Sequence, residues 1–242
     1  MRLPTPFAWE GRHIAVTLPG VRALFTTRRG GVSRGPYATL NLGLWTADDR
    51  AAVLANRDRV AAAAGLDRTR FQQGRQVHGT DVRALAAPPE GEPTEADGQV
   101  TSVPGVAPIV LVADCLPIAL AGADRVGMLH AGWRGLAGGI VARGVEAMGD
   151  GPLTAAIGPG AGPCCYEVGQ EVLRAFAELG PGVHHGPNLD LKAVAAARLR
   201  EAGVEEVHDV GLCTICGDPE LFFSHRRDGE RTGRQAGLAW RS

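Results

Sequence analysis

Lysine is almost missing from this 242-residue chain: Lys192 is the only one, and arginine supplies the rest of the 25 basic residues. Twenty-six acidic residues offset them, for a formal net charge of −1. No global field therefore draws the chain to nucleic acid or to an anionic membrane, and any anion binding has to be local. No apolar run approaches about 20 residues, so no segment is expected to cross a bilayer. Met1–Glu10 lacks an apolar stretch behind a basic start, and no secretory leader is read there. Five cysteines are an odd number in a chain that is not small. They argue against a disulfide-stapled secreted scaffold and for reduced thiols in the cytoplasm. Internal repeats and low-complexity tracts are absent too. The single linker-like piece, Ala86–Pro93, is short and reads as a surface loop, so one domain over residues 1–242 is expected.

What the chain does have is apolar residues, 45% of the total, and 34 glycines. The first suffice for a sizeable core, and the second point to tight turns and close backbone approaches. Pattern predicts strands at His13–Thr17, Ala23–Thr27, Ile109–Ala113, Pro117–Ala121, Arg125–His130 and Thr154–Ile157. A strand pair, Phe71–Val77 with Val82–Leu85, is expected around a turn at His78–Thr80. Late strands are read at Glu205–Val210, Leu221–Ser224 and Gly237–Trp240. Helices are predicted over Asp48–Ala64 with Asp48 as cap, Leu136–Met148, Val168–Leu179 and Leu189–Ala202. Strands and helices mix without a regular βαβ rhythm, which favours α+β with mixed sheets over a doubly wound parallel sheet.

Three segments place metal-binding side chains at strand ends: Gln76-Val-His-Gly79, Val112-Ala-Asp-Cys-Leu-Pro117 and Met128-Leu-His-Ala-Gly-Trp-Arg-Gly135. A strand–turn–strand can bring Cys115 and His130 together, and His78 would approach from a separate hairpin. Two imidazoles and a thiolate suit Zn²⁺, and three protein ligands leave a fourth position open, the catalytic pattern. The same set suits Cu²⁺, which binds such donors more tightly, so ligand type leaves the metal open. Spacing also permits a thiol nucleophile, Cys115 activated by His130. A cysteine beside apolar strands can equally be a small core residue.

Other segments carry weaker signals. Cys164–Cys165 and Cys213-Thr-Ile-Cys216 could be combined into a Cys₄ site. Adjacent side chains diverge, however, and a lone CxxC says little, so these four are read as structural or incidental. Arg28-Arg-Gly-Gly31 and Ser224-His-Arg-Arg-Asp-Gly229 join arginine to glycine as anion-binding turns do, or as ordinary solvated turns do. Tyr166, after Ile157-Gly-Pro-Gly160, could stack on a flat ring or sit in the core.

Taken together, these segments resemble the YfiH-like proteins, also described as the laccase-domain or multicopper polyphenol oxidoreductase family. Arg28-Arg-Gly-Gly-Val-Ser33, Pro36-Tyr-Ala-Thr-Leu-Asn-Leu-Gly43, Ala96-Asp-Gly98, Tyr166-Glu-Val-Gly169 and the segments above extend the likeness over nearly the whole chain. The resemblance implies a layered α/β/β/α sandwich in a single domain, with metal ligands at His78, Cys115 and His130. It implies phosphorolysis of adenosine, inosine and S-methyl-5′-thioadenosine to free base and (methylthio)ribose 1-phosphate, with adenosine deamination beside it. Zinc is then the expected cofactor and copper the alternative. Cys115 and His130 would be catalytic, with adjoining Asp114 moving protons. Arg28, Arg226 and Arg227 are the candidates to hold phosphate, and Asn41 to hydrogen-bond ribose or base. A monomer that meets purine nucleosides and phosphate, but no nucleic acid or membrane, is expected. A copper polyphenol oxidase and a Cys–His amidohydrolase acting on peptidoglycan precursors are the competing readings. A laccase with four coppers needs roughly ten His/Cys ligands, and 7 histidines, mostly single, fall short. The chain departs from the family at Leu44-Trp-Thr-Ala-Asp48, where Gly-Asp is usual, and at His225, where tyrosine is common.

Overall fold

A computed structural model describes residues 1–85, 91 and 93–241. The expected loop Ala86–Pro93 lies outside the described residues apart from Gly91 and Pro93. The chain opens with strands β1 (Ala8–Glu10), β2 (His13–Leu18) and β3 (Val21–Phe25), then helix α1 (Arg50–Ala64). Six strands follow: β4 (Phe71–Gln72), β5 (Val82–Leu85), β6 (Gly98–Thr101), β7 (Ala107–Val112), β8 (Leu116–Ala121) and β9 (Val126–Ala131). Next come α2 (Trp133–Gly138), α3 (Ile140–Met148), β10 (Thr154–Ile157), α4 (Gln170–Arg174) and the ribbon β11 (His184–His185) with β12 (Asn188–Leu189). The last elements are α5 (Leu191–Glu201), β13 (Glu206–Asp209), α6 (His225–Asp228) and β14 (Gln235–Arg241).

Two six-stranded sheets carry the fold, ordered β1-β2-β3-β14-β7-β4 and β13-β10-β8-β9-β6-β5. Both are mixed: β4–β7, β5–β6 and β10–β13 run parallel, and the other ladders in them antiparallel. Side-chain alternation stacks them. On β8, Leu116, Ile118 and Leu120 pack with Ile140 and Val141 of α3 and Val194 and Leu199 of α5. Ala119 and Ala121 face the other way and meet Val110, Val112 and Phe25 of the first sheet. On β7, Ile109 and Leu111 pack outward with Val60 and Ala61 of α1. The layers are thus α/β/β/α, as expected from the resemblance. Central strands are buried on both faces, which is why they read as continuous apolar runs and not as alternating ones. Each fully buried Leu or Ile contributes roughly 1.5–3 kcal/mol of burial energy.

Several boundaries differ from expectation. Phe71–Val77 and Val82–Leu85 are not partners: β4 pairs with β7 in the first sheet and β5 with β6 in the second. Local pattern cannot see that the turn between them crosses sheets. Leu221–Ser224 is no strand but leads into α6, where Ser224 accepts the Arg227 amide as an N-cap. The helix expected from Leu136 begins at Trp133 and breaks at Gly139, whose φ of 96° ends one helix before Ile140 starts the next. Val168–Leu179 holds only the short α4 and a 3₁₀ turn. Asp49, and not Asp48, caps α1. Among the described residues no helix is long and apolar enough to cross a membrane.

Candidate metal centre

The site forms where the chain passes from one sheet to the other. His78 lies on the connection from β4 to β5, and Cys115 ends the connection from β7 to β8. His130 is the penultimate residue of β9, opposite Pro117 of β8. One ligand atom from each of His78, Cys115 and His130 falls within 4.8 Å of the others. The two imidazoles meet edge to face, with centroids 4.9 Å apart. Gly132 makes this approach possible: a Cβ there would stand 2.9 Å from Cys115 Sγ and 3.2 Å from His78 Cδ2. Two crossing residues take up backbone that L-residues avoid, His78 at φ 60° and Asp114 at φ 90°. Such positions cost on the order of 1–3 kcal/mol and persist where surrounding structure holds them.

A residue with no role assigned from sequence organises the centre. Asp97 is fully buried (0% exposed). Its Oδ1 lies 2.7 Å from His130 Nδ1. The same carboxylate accepts the backbone N–H groups of Val77, His78 and Gly79 at 3.1, 3.0 and 2.8 Å. One side chain therefore fixes both histidines: it keeps the proton on His130 Nδ1, freeing Nε2 for a metal, and it shapes the turn that carries His78. Ala96-Asp-Gly98 could have signalled this, because a carboxylate just before a buried strand has to find donors.

The electrostatics agree with the donor set. Burial alone would raise the Cys115 thiol, but the His130 charge and hydrogen bonds from His130 and His78 outweigh it and bring the thiol down to about 6. Burial would lower His130, but the Cys115 charge and Asp97 carry it upward. Each group thus favours the charged form of the other, Cys115 toward thiolate and His130 toward imidazolium. A cation that displaces the imidazolium proton meets two nitrogens and a sulfur that already bears charge. The residues present fit a borderline-soft metal ion.

The centre forms the floor of a cleft of about 470 Å³. Its walls hold Trp45, Trp133, Tyr166, Arg134, Arg226 and Arg234. The Arg226 guanidinium lies 5.2 Å from the Tyr166 ring centroid, and that of Arg134 lies 4.4 Å from the Trp133 ring. Of the residues expected at the substrate, Arg226 and Asp114 line the cleft, but Arg28, Asn41 and Arg227 do not. Arg28 donates to the carbonyls of Ala38 and Pro219 and stacks on Phe223. Arg227 is spent on Asp228 and on the carbonyls of Thr214 and Phe222. Asn41 is buried, donating to Thr46 and Asp48 and accepting from the amides of Gly43 and Arg234. Of the three, Asn41 braces the wall from behind, through Gly43, Thr46 and Arg234. Asp114 accepts Thr214 Oγ1 and the Arg226 amide, each at 2.7 Å, so both its oxygens are engaged. Arg134 and Arg234 were missed because isolated arginines in a sequence give no sign of convergence. Trp45 and His225, where the chain departs from the family pattern, both line the cleft.

The four remaining cysteines come together, although the adjacent side chains of Cys164 and Cys165 are expected to diverge. Their Sγ atoms all lie within 4.8 Å of one another. The amides of Cys165 and Tyr166 both bond to the Gly162 carbonyl. That tight turn points the vicinal thiols toward Cys213 and Cys216, where an extended segment would have splayed them.

Comparison with known proteins agrees with this architecture. Residues 22–242 match the family described as multi-copper polyphenol oxidoreductase laccase. A purine nucleoside phosphorylase of Xylella fastidiosa (strain Temecula1) is 44% identical, over 92% of this chain and 93% of that protein. The purine nucleoside phosphorylase YfiH of Escherichia coli (strain K12) is 39% identical, over 91% and 94%. Among crystal structures, YlmD from Geobacillus stearothermophilus superposes with a TM-score of 0.88 at 35% identity, covering 98% of this chain and 99% of that one. The Bacillus licheniformis hypothetical protein YfiH reaches 0.91 at 29% identity, covering 99% and 100%. The chain belongs to the multi-copper polyphenol oxidoreductase laccase family, in its YfiH-like branch.

Proposed function

We propose that this chain is a zinc-dependent purine nucleoside phosphorylase that splits adenosine, inosine and S-methyl-5′-thioadenosine with inorganic phosphate and also deaminates adenosine. The observation that carries the reading is one cleft with a His₂Cys set on its floor and rings and guanidinium groups on its walls. Its volume suits a nucleoside-sized ligand. The relatives named purine nucleoside phosphorylase support the same substrate class. Zinc, when held by His78, Cys115 and His130, supplies Lewis acidity and makes water ionisable near neutral pH, the chemistry that deamination requires.

The protein's own groups account for the rest. Trp45, Trp133 and Tyr166 offer faces to the purine. Arg226, with Arg134 and Arg234, balances the charge of phosphate in a partly dry cleft. In phosphorolysis a phosphate oxygen bonds to ribose C1′ as the C1′–N9 bond breaks. The bonding pair leaves with the purine, which takes up a proton. Asp114 positions Arg226 and Thr214, since both its oxygens are committed. Of the histidines, His78 and His130 share a ligand cluster and the other five join none among the described residues, which favours one catalytic ion over a multicopper set. The test is incubation of zinc-loaded protein with each nucleoside, with and without phosphate. Free base and ribose 1-phosphate that depend on phosphate are expected, with phosphate-independent inosine from adenosine. Absence of both products would falsify the reading.

The same geometry supports a second reading. Cys115, His130 and Asp97 line up as thiol, imidazole and carboxylate, the arrangement of a thiol amidohydrolase, and each shifts its neighbour toward the charged form. Amidase activity that survives chelation and is lost on alkylation of Cys115 would establish it over the zinc enzyme.

A further inference from the structure

Four thiols, on two loops outside the centre just described, converge on one point. Cys164 Sγ lies 3.1 Å from Cys216 Sγ and 3.4 Å from Cys165 Sγ, and Cys165 Sγ lies 3.4 Å from Cys213 Sγ. A disulfide requires about 2.05 Å. A tetrahedral zinc with bonds of about 2.3 Å requires sulfur–sulfur edges of about 3.8 Å. These separations exceed a disulfide bond by more than 1 Å and fall 0.4–0.7 Å short of the tetrahedral edge, and all four sulfurs lie within 4.8 Å of one another. As thiols the four can share S–H···S hydrogen bonds; as thiolates they need a cation between them.

The backbone is arranged for the same purpose. Cys213-Thr-Ile-Cys216 closes a turn in which the Gly217 amide bonds to the Cys213 carbonyl at 3.1 Å. The Gly162 amide donates to Cys213 Sγ at 3.3 Å, as backbone amides do to metal thiolates. A Cβ on Gly162 would stand 3.1 Å from Cys213 Cβ and 3.4 Å from the sulfurs of Cys164 and Cys213, so glycine permits the two loops to meet. Further bonds register the loops: Thr214 N to Gly160 O at 3.0 Å and Gly160 N to Leu212 O at 3.3 Å. Lys192, the only lysine, is buried and donates to the carbonyls of Gly160 and Ala161 from behind.

We infer that Cys164, Cys165, Cys213 and Cys216 form a second metal site, a closed all-thiolate site for one zinc ion that pins two loops of the cleft wall together. Four protein sulfurs fill a tetrahedron and leave no place for water, so the site is structural. An all-sulfur set excludes magnesium and calcium. Binding exchanges thiol protons for the cation and moves no electrons. The consequence reaches the cleft through both loops. The first loop ends in Tyr166, which lines the cleft. The second carries Thr214, which donates to Asp114 beside Cys115. The inference stands independently of the nucleoside reading, because its test counts metal.

The test is elemental analysis of the full chain purified under reducing conditions, as wild type, Cys115→Ala and Cys216→Ser. Two zinc equivalents are expected in wild type. One is expected in Cys115→Ala, held by sulfur alone, and replacement by cobalt should give intense thiolate-to-cobalt charge-transfer absorption. Cys216→Ser should keep the equivalent at His78, Cys115 and His130 and lose the other. Should Cys216→Ser fail to fold, the metal content and cobalt spectrum of Cys115→Ala decide alone. The inference is overturned if Cys115→Ala binds neither zinc nor cobalt, or if iron or copper fills the cluster in place of zinc. Mass spectrometry showing Cys164–Cys216 or Cys165–Cys213 disulfides in the freshly reduced protein would overturn it as well.

Discussion

The molecule gathers sulfur in two places, and the two are built on opposite principles. The centre at His78, Cys115 and His130 draws its side chains from three separate segments, two at crossings between the sheets and one at the end of a central strand. It mixes nitrogen with sulfur, buries His130 to 3% exposure, and is braced by a carboxylate. The cluster at Cys164, Cys165, Cys213 and Cys216 draws on two neighbouring loops, uses sulfur only, and leaves Cys164 and Cys216 exposed. The first opens into a cleft and has three protein donors. The second supplies four. A site that does chemistry needs rigid walls and a free position, whereas a staple needs only enough donors to close the shell. If that contrast is right, damage to the first should abolish turnover with little loss of fold. Damage to the second should cost stability with little loss of turnover.

The largest expected effect follows from Cys115→Ala. Losing a direct ligand should lower phosphorolysis by more than ~100-fold, beyond the 10–100-fold typical of outer partners. Steady-state rates and circular dichroism on the same preparation check both halves of the contrast. Next is Asp97→Asn. It keeps the size of the side chain but weakens its grip on His130 and on the amides of the 77–79 turn. Zinc affinity, measured by competition with a chelator, should fall about 10–100-fold. An unchanged affinity would leave Asp97 a mere fold element and blur the distinction drawn above.

A third expectation concerns protons in the metal-free protein. With its thiol brought down to about 6, Cys115 is thiolate above that pH and thiol below it. Alkylation should therefore rise as pH increases through about 6 and level off near 7. Lower basicity also lowers nucleophilicity, so at pH 6 the gain over an ordinary thiol should be only roughly tenfold. His130→Gln removes the charge that holds the thiolate, and the midpoint should move up. A midpoint unmoved by that change would assign the shift to something other than His130.

Legibility in the sequence followed the physics of each feature. His78, Cys115 and His130 were readable because strands ending in soft donors are uncommon and the surrounding motifs resemble one family. The layers were readable because β7, β8 and β9 are apolar on both faces, as strands between two covered surfaces must be. The role of Asp97 is hard to read in sequence, because it depends on four donors brought from 18 to 33 positions away. Arg28 and Arg227 looked like phosphate ligands because composition cannot tell a guanidinium facing a cleft from one bonded to backbone carbonyls. The four outlying cysteines look unsuited to one site only if Cys164 and Cys165 lie in extended chain. The turn at Gly162 removes that condition, and turn geometry across two loops is a tertiary fact.

The smallest expected effect sharpens the contrast most. Cys216→Ser should lower the Tm by several degrees, at about 2–4 °C per kcal/mol for a chain of this size. Turnover at saturating nucleoside should hold, because no sulfur of the cluster touches the cleft floor. The Michaelis constant should rise about two- to fivefold, worth less than ~1 kcal/mol. Tyr166, the Thr214–Asp114 bond and the bond from the Ala161 amide to the Asp114 carbonyl link the cluster's loops to the cleft described above. Restoring Tyr166 and Asp114 to their places by high nucleoside concentration should also recover part of the lost Tm, since ligand binds the ordered wall and not the loosened one. A fall in kcat with Tm unchanged would reverse the assignment of the two sites, making the all-sulfur cluster part of the chemistry and not of the frame.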